Sequence, residues 1–116
     1  MLDNDLQSLA LSPKEIAVYK AVLEAGKVVP ARVSTMTGIN RTTVYAVAKD
    51  LVSAGYLQMD ETKGVTFLYP TPPKDLKKIT KKERQALIQK ELTLDELARS
   101  ISELPQSKTY SVPIIK

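Results

Sequence analysis

The sequence predicts a mainly α-helical fold with a small β-hairpin, followed by a long C-terminal helix of coiled-coil type. Three observations carry this prediction. Apolar residues recur at helical spacing in segments between residues 12 and 54, and glycine or proline separates these segments. Two strand-like runs follow, joined by a loop that contains Gly64. Leucine and isoleucine then recur at spacings of three, four or seven residues between positions 87 and 104.

The composition limits the classes of function that the chain can have. Its 116 residues suffice for one small domain and an accessory element, and its net charge of +4 is compatible with a polyanionic partner. The chain has no cysteine and no histidine, which excludes disulfides and any metal site or catalytic triad that needs these residues. Among four glycines there is no phosphate-binding loop. We therefore expect no enzyme, no cofactor and no metal.

The sequence also carries information on where the protein is located. No apolar run approaches the roughly 20 residues of a membrane helix. The N-terminus carries Asp3 and Asp5 without the basic segment of a signal peptide. We expect a soluble, cytoplasmic protein without a membrane partner.

Local signals predict two helices before residue 27. Three leucines at helical spacing indicate a short N-terminal helix: Leu2, Leu6 and Leu9. Ser12-Pro13-Lys14-Glu15 has the pattern of a capping box with proline in the first turn. The helix that starts there should run to about Ala25 and end at Gly26.

The next segment predicts a helix-turn-helix motif. Val28 and Val29 form a brief extended pair, which we expect to lie as an edge strand beside the later hairpin. Pro30 begins a short helix at residues 31–37, and Gly38 opens a three-residue turn. A longer helix should follow at residues 41–54. A short helix, a turn with glycine and a longer helix are typical of this DNA-binding motif.

Residues 56–69 predict a β-hairpin. Two strand-like runs at 56–60 and 65–69 flank a loop at 61–64, in which Gly64 supplies backbone freedom. A hairpin directly after the second helix of this motif is the wing of a winged helix. Lys63 should lie at its tip.

The C-terminal part predicts a helix from about residue 74 to 104 with an apolar seam. Five residues have the spacing of heptad core positions: Leu87, Leu94, Leu97, Ile101 and Leu104. A helix of about 30 residues would be about 45 Å long, too long to be covered by the preceding domain. We therefore expect a homodimer in which the helices are parallel or antiparallel. The predicted boundaries are 1–71 for the winged helix-turn-helix domain, 72–105 for the dimerisation helix and 106–116 for a tail.

The second helix of the motif presents a short, polar face that suits close approach to the major groove. Asn40 is expected to cap this helix and to belong to the DNA-binding residues, which extend from Asn40 to Lys49. Thr42, Ala46 and Lys49 lie opposite the apolar stripe. Small side chains on this face would let the helix backbone approach the groove floor. The face therefore predicts a binding site for double-stranded DNA.

Each residue type on this face suggests a contact. The hydroxyls of Thr42 and Thr43 can donate or accept, and their methyls, like that of Ala46, suit a thymine methyl. Arg41 can reach a guanine edge or a phosphate, and Lys49 a phosphate. The alternative for the two threonines is a structural role in the first turn beside the cap.

Five further residues are candidate DNA contacts at the edges of this face. The hydroxyl of Tyr45 can bind a phosphate, or its ring can pack in the core. Arg32, Ser34 and Thr35 lie on the first helix of the motif, which crosses the DNA backbone. Lys63 can reach the minor groove or a phosphate from the wing, although lysine is also common in solvated loops.

Residues 11–70 resemble the DNA-binding domain of the TrmB-like transcriptional regulators. The matching segments are LSPKEIAVYKAVLEAG, TGINRTTVYAVAKDLVSAGYL and VTFLYPTPPKDL. One departure is Ala48, where such domains usually carry a larger aliphatic residue. The resemblance implies a winged helix, then a dimerising helix, and often a separate effector-binding domain. The tail at 106–116, which turns apolar, would then be either the start of a truncated effector domain, whose ligand is unknown, or a segment that docks on a partner.

The resemblance and the residues together lead to one expected function and one alternative. We expect a sequence-specific, double-stranded DNA-binding transcriptional regulator that acts as a homodimer. The alternative is a winged-helix module for protein–protein contact that does not bind DNA. Salt dependence separates the two, because binding to DNA phosphates weakens steeply as salt rises.

Overall fold

The computed structural model describes residues 2–105 and has the predicted fold class. The elements are α1 (Leu2–Ser8), α2 (Pro13–Ala25), α3 (Pro30–Thr37), α4 (Arg41–Ala54), β1 (Leu57–Thr62), β2 (Val65–Pro70) and α5 (Lys78–Ser102). The two strands pair antiparallel. A mainly helical fold with one hairpin and a long C-terminal helix is therefore confirmed. The predictions for residues 106–116 lie outside the described residues.

The start of α2 confirms the predicted capping box. The Glu15 amide donates to Ser12 Oγ at 3.1 Å, and the Ser12 amide donates to Glu15 Oε1 at 2.8 Å. These two bonds satisfy backbone donors that an isolated helix start leaves free. The helix ends before Gly26, as expected.

The turn between α3 and α4 is held by side chains as well as by backbone. Ser34 Oγ donates to the Ile39 carbonyl at 2.6 Å, and Thr37 Oγ1 accepts from the Ile39 amide at 3.1 Å. Asn40 Oδ1 accepts from the Thr42 amide at 2.8 Å, which confirms Asn40 as the cap of α4. The helix-turn-helix motif therefore has the predicted bounds at both sides of the turn.

The hairpin is longer and tighter than predicted. Thr62 pairs with Val65, so the turn consists of Lys63 and Gly64 alone instead of the four residues 61–64. Both turn residues have positive φ, 53° and 78°, as a type I′ turn requires. The backbone twist of this turn matches that of the two strands, so the strands stay paired up to the residues that flank the turn. Val28 forms the predicted edge bridge, with bonds of 2.9 and 2.7 Å to Leu68.

The hydrophobic core lies between the helices α1 to α4 and the inner face of the hairpin. Its fully buried side chains are Val18, Val22, Val33, Val44, Ala48, Leu51, Leu57 and Leu68. The rings of Tyr19 and Tyr56 meet edge to face, 6.0 Å apart at an interplanar angle of 77°. Burial raises the pKa of the Tyr19 phenol. The small Ala48 is completely buried, so α4 packs on the core without the larger aliphatic residue usual there.

The segment after the hairpin differs from the single helix predicted from residue 74. A short 3-10 turn at Pro73–Asp75 precedes α5, which begins at Lys78. Pro72 flanks this turn and Pro73 is its first residue, a position where the missing amide hydrogen costs no helical bond. Ile79 in the first turn of α5 is buried against the core cluster.

By its internal contacts the chain divides into two compact units, Met1–Thr80 and Lys81–Lys116. The first unit contains α1 to α4, the hairpin and the start of α5. The described part of the second unit is the remainder of α5 and the three residues after it, all of which are exposed.

Candidate nucleic-acid interface

The exposed face of α4 consists of the residues that the sequence placed there. Arg41, Thr42, Ala46 and Lys49 are all exposed, and Thr43 is half-buried at the edge. On the opposite side Val44, Ala48 and Leu51 are buried. The first two turns of α4 therefore present short side chains next to two cations.

An open groove of about 620 Å³ separates this face from the wing and the start of α3. It is lined by Val29, Pro30, Ala31, Arg41, Thr42, Tyr45, Gly64, Val65 and Thr66. The groove brings the N-terminal half of α4 and the hairpin turn to one side of the first unit. Its walls are largely apolar, with Arg41 as the cation among the lining residues.

Tyr45 lies at the surface, where 38% of its area is exposed. It is absent from the core cluster of the first unit, so the ring does not pack there. Lys49 Nζ instead lies 5.2 Å from the centre of the Tyr45 ring. The spacing of four residues along α4 was a signal for this contact that sequence reasoning did not use.

The candidate residues of α3 differ in how much of their hydrogen-bonding capacity is free. Arg32 is exposed at the start of α3. The half-buried Ser34 donates its hydroxyl proton to Ile39, as described above. Thr35 is exposed and donates to the Ala31 carbonyl at 3.2 Å. Their contacts with DNA stay predictions, and the Ser34 contact would require the turn to release a short hydrogen bond.

The wing places Lys63 at its tip, with the side chain exposed. Sequence reasoning missed Val65 and Thr66, which lie beside it and line the groove, and also Val29 to Ala31 on the opposite wall. The predicted bridge between Val28 and the hairpin was the available signal. It places the start of α3 beside β2.

The seam predicted on α5 is solvent-exposed in the single chain. The exposed fractions are 59% for Leu87, 51% for Leu94, 52% for Leu97, 57% for Ile101 and 60% for Leu104. Ile88 and Leu92, which lie off the seam, are exposed as well. Leu87, Leu94, Leu97 and Ile101 lie on α5, and Leu104 follows two residues after its end at Ser102. Within the described residues, α5 thus carries a row of large, exposed apolar side chains.

Residues 2–105 contain neither a membrane-spanning helix nor a cluster of metal ligands. None of the helices there combines the length and apolar character needed to cross a membrane. In the same part of the chain, no three acidic side chains are grouped so that they could hold a metal ion.

Comparisons with known proteins agree with this geometry. The family profile "sugar-specific transcriptional regulator TrmB" matches residues 6–74. No curated protein matches the chain. The solved structure of TrmBL2, an archaeal chromatin protein that binds DNA, is similar with a TM-score of 0.59 and 20% identity over 97% of this chain. The chain spans only 45% of the length of that protein.

Two bacterial proteins have a similar structure over most of their length. The transcriptional regulator Tm0710 from Thermotoga maritima gives a TM-score of 0.55 at 18% identity, covering 91% of this chain and 87% of its own. BpsR of Bordetella bronchiseptica gives 0.53 at 16% identity, covering 93% and 73%. At these identities the likeness shows the winged-helix fold alone.

The family assignment rests on the profile match, which covers more than half of the chain. The matched residues include the capping box of α2, the helix-turn-helix and the whole hairpin. The matching profile is that of a family of transcriptional regulators. The chain belongs to the TrmB family of winged-helix, DNA-binding transcriptional regulators.

Proposed function

We propose that this regulator recognises specific sequences in double-stranded DNA as a homodimer. The observation that carries the proposal is the exposed face of α4 beside the wing. This face combines short side chains at Thr42 and Ala46 with the cations Arg41 and Lys49. A recognition helix reads base edges with its N-terminal residues, and short side chains there let the backbone approach the major groove.

On this proposal, different residues of α4 contact the bases and the phosphates of the DNA. Thr42, Thr43 and Ala46 contact base edges and thymine methyls. Arg41 contacts a guanine edge or a phosphate. Lys49, two turns further along, contacts a phosphate, because phosphate contacts fix the register of such a helix on the duplex. Asn40 supports these contacts by holding the first turn.

Contacts from α3 and the wing would flank the reading face. Arg32 and Thr35 are exposed on α3, which crosses the DNA backbone in this motif. Ser34 and Thr35 both donate their hydroxyl protons to backbone carbonyls. Ser34 is the weakest of the three candidates, because it is half-buried and its hydrogen bond is the shorter one. Lys63 at the wing tip would add a charge contact that depends on salt.

The proposed dimer forms through the seam in the segment 72–105, whose long helix is α5. The exposed row of leucine and isoleucine side chains supports this assignment. Full burial of one such side chain contributes about 1.5–3 kcal/mol relative to exposure, and this gain opposes the loss of translational and rotational freedom on pairing. A dimer would hold two α4 faces at a fixed distance and thereby set the half-site spacing.

The test is a titration of labelled duplex with the purified chain at several salt concentrations, after selection of the preferred site from random duplexes. We expect one enriched site with two half-sites and a steep fall of affinity with salt. Arg41→Gln should relax preference at one base pair if Arg41 contacts a base edge. If it contacts a phosphate, the variant should reduce the salt slope by about one.

Lys14→Gln is the matched control, because it removes one positive charge from the exposed first turn of α2. It should leave the selected site and the salt slope nearly unchanged. Absence of duplex binding even at low salt would contradict the proposal. Binding without an enriched sequence would contradict its specificity.

A further inference from the structure

The ring of Tyr45 and the ammonium of Lys49 contact each other on the exposed side of α4. Lys49 Nζ lies 5.2 Å from the ring centre. Cation–π contacts act within about 6 Å of a ring centroid. The two residues are four apart and thus lie on the same side of the helix. The contact is built into the surface proposed to face DNA.

Lys49 is otherwise free to change conformation. Within residues 2–105, no carboxylate lies within ion-pair distance of its ammonium. A lysine side chain has four flexible carbons and a compact charge, and at an exposed helix position it samples many rotamers. The Tyr45 ring is therefore the neighbour that restricts where the charge lies.

We infer that Tyr45 is a positioning residue whose ring holds the Lys49 ammonium where a DNA phosphate is bound. This inference rests on the proposed function. An aromatic face suits this role because it attracts the cation without neutralising it, as a carboxylate would. Lysine has three N–H donors, and a ring on one side leaves donors for phosphate oxygens.

The inference assigns the effect of Tyr45 to its ring, and not to its hydroxyl. Tyr45→Phe keeps the aromatic face and removes only the hydroxyl, whereas Tyr45→Leu keeps an apolar side chain without a π system. Tyr45 is absent from the core cluster, so neither change removes a core side chain. We expect Tyr45→Leu to weaken DNA binding about two- to fivefold, the range of an exposed cation–π contact.

A double-mutant cycle with the duplex selected by the wild-type chain tests this expectation. Its variants are Tyr45→Phe, Tyr45→Leu, Lys49→Gln and the combination of the last two. Lys49→Gln should lower the salt slope by about one. Tyr45→Phe should bind like the wild type, and Tyr45→Leu should cause no further loss in the Lys49→Gln background. Equal losses of DNA affinity in Tyr45→Phe and Tyr45→Leu would overturn the inference. So would a loss from Tyr45→Leu that is as large in the Lys49→Gln background as in the wild type.

Nuclear magnetic resonance of the free protein tests the contact without DNA. The ring current should shift the ε-methylene protons of Lys49 upfield in the wild type and in Tyr45→Phe, but not in Tyr45→Leu. Absence of this shift in a wild type that binds DNA overturns the positioning role alone. A normal shift in a protein that binds no duplex at low salt overturns the proposed function, and the phosphate role of Lys49 with it.

Discussion

At the scale of single residues, Gly55 shows how a position can exclude every side chain. Its φ of +100° lies in the left-handed region, and it ends α4. A Cβ atom built on it would lie 2.9 Å from Ile79 Cγ1. Its carbonyl accepts from Thr71 Oγ1 at 2.7 Å. The end of the proposed recognition helix therefore depends on both the backbone conformation and the packing at this residue.

Gly55→Ala should lower the free energy of unfolding by about 2–4 kcal/mol, because left-handed strain adds to overpacking against Ile79. Gly38→Ala is the matched control. Gly38 has a similar conformation at the end of α3, but open space surrounds its Cβ position. Gly38→Ala should lower the free energy of unfolding by about 1 kcal/mol, because it introduces the left-handed strain without overpacking. Urea unfolding at fixed protein concentration measures both, and equal losses would show that Ile79 yields without cost.

At the scale of elements, the two-residue hairpin turn combines a strained residue with a proposed DNA contact. Lys63 has φ 53°, a conformation that costs a non-glycine residue on the order of 1 kcal/mol. Asparagine before glycine is preferred in type I′ turns, so stability alone would favour a different residue at this position. The lysine at the tip is consistent with a role for its charge.

Lys63→Asn should therefore separate stability from binding. We expect the free energy of unfolding to rise by about 0.5 kcal/mol through relief of strain. The slope of DNA affinity against salt should fall by about one, since a phosphate contact is lost. Lys63→Gln is the control, because it removes the charge without the preference for positive φ. An unchanged salt slope in both variants would remove Lys63 from the proposed interface.

At the scale of the whole molecule, the exposed seam of α5 is the feature that a single chain leaves unexplained. Its five large apolar residues are each more than half exposed. Surfaces of this kind mark sites of protein–protein contact. The proposed homodimer covers them with the same residues from a second copy.

Replacement of Leu94 and Ile101 together by glutamate should convert the dimer into monomers, because two charges in each chain would have to be buried at the seam. Light scattering measures the mass of the particle. The matched control is the double replacement of Ile88 and Leu92 by glutamate, which adds the same charge off the seam. A dimer that survives the first pair contradicts the seam, and monomers from the control pair would show a wider contact.

Prediction from sequence succeeded where the signals were local. The bounds of α4 and the capping box of α2 were predicted correctly, because caps and periodicity act over a few neighbouring residues. The hairpin turn was predicted too long, since nothing in the local pattern indicates that Lys63 adopts positive φ. The start of α5 was placed too early because its position depends on how Ile79 packs on the core.

In the candidate site, too, the local features were predicted and the features that depend on tertiary packing were not. Helical periodicity was enough to predict which side of α4 is exposed, since buried and exposed faces alternate with a fixed period. The expected bridge of Val28 indicates that the start of α3 lies beside β2. That Pro30 and Thr66 also line a groove with α4 was not predicted, because it depends on the packing of α3, α4 and the hairpin. The contact of Lys49 with the Tyr45 ring depends on the rotamers of two side chains.

The sequence by itself determined the family, the order of the elements and the polar face of α4, through capping residues, glycine positions and apolar spacing. Only the tertiary structure decided that the wing and the start of α3 lie beside that face, and that Tyr45 turns toward Lys49 instead of the core. The physical reason is the distance along the chain over which each kind of interaction acts. Hydrogen bonds and periodicity act between near neighbours in the chain, whereas a groove forms between segments that only a shared core brings together.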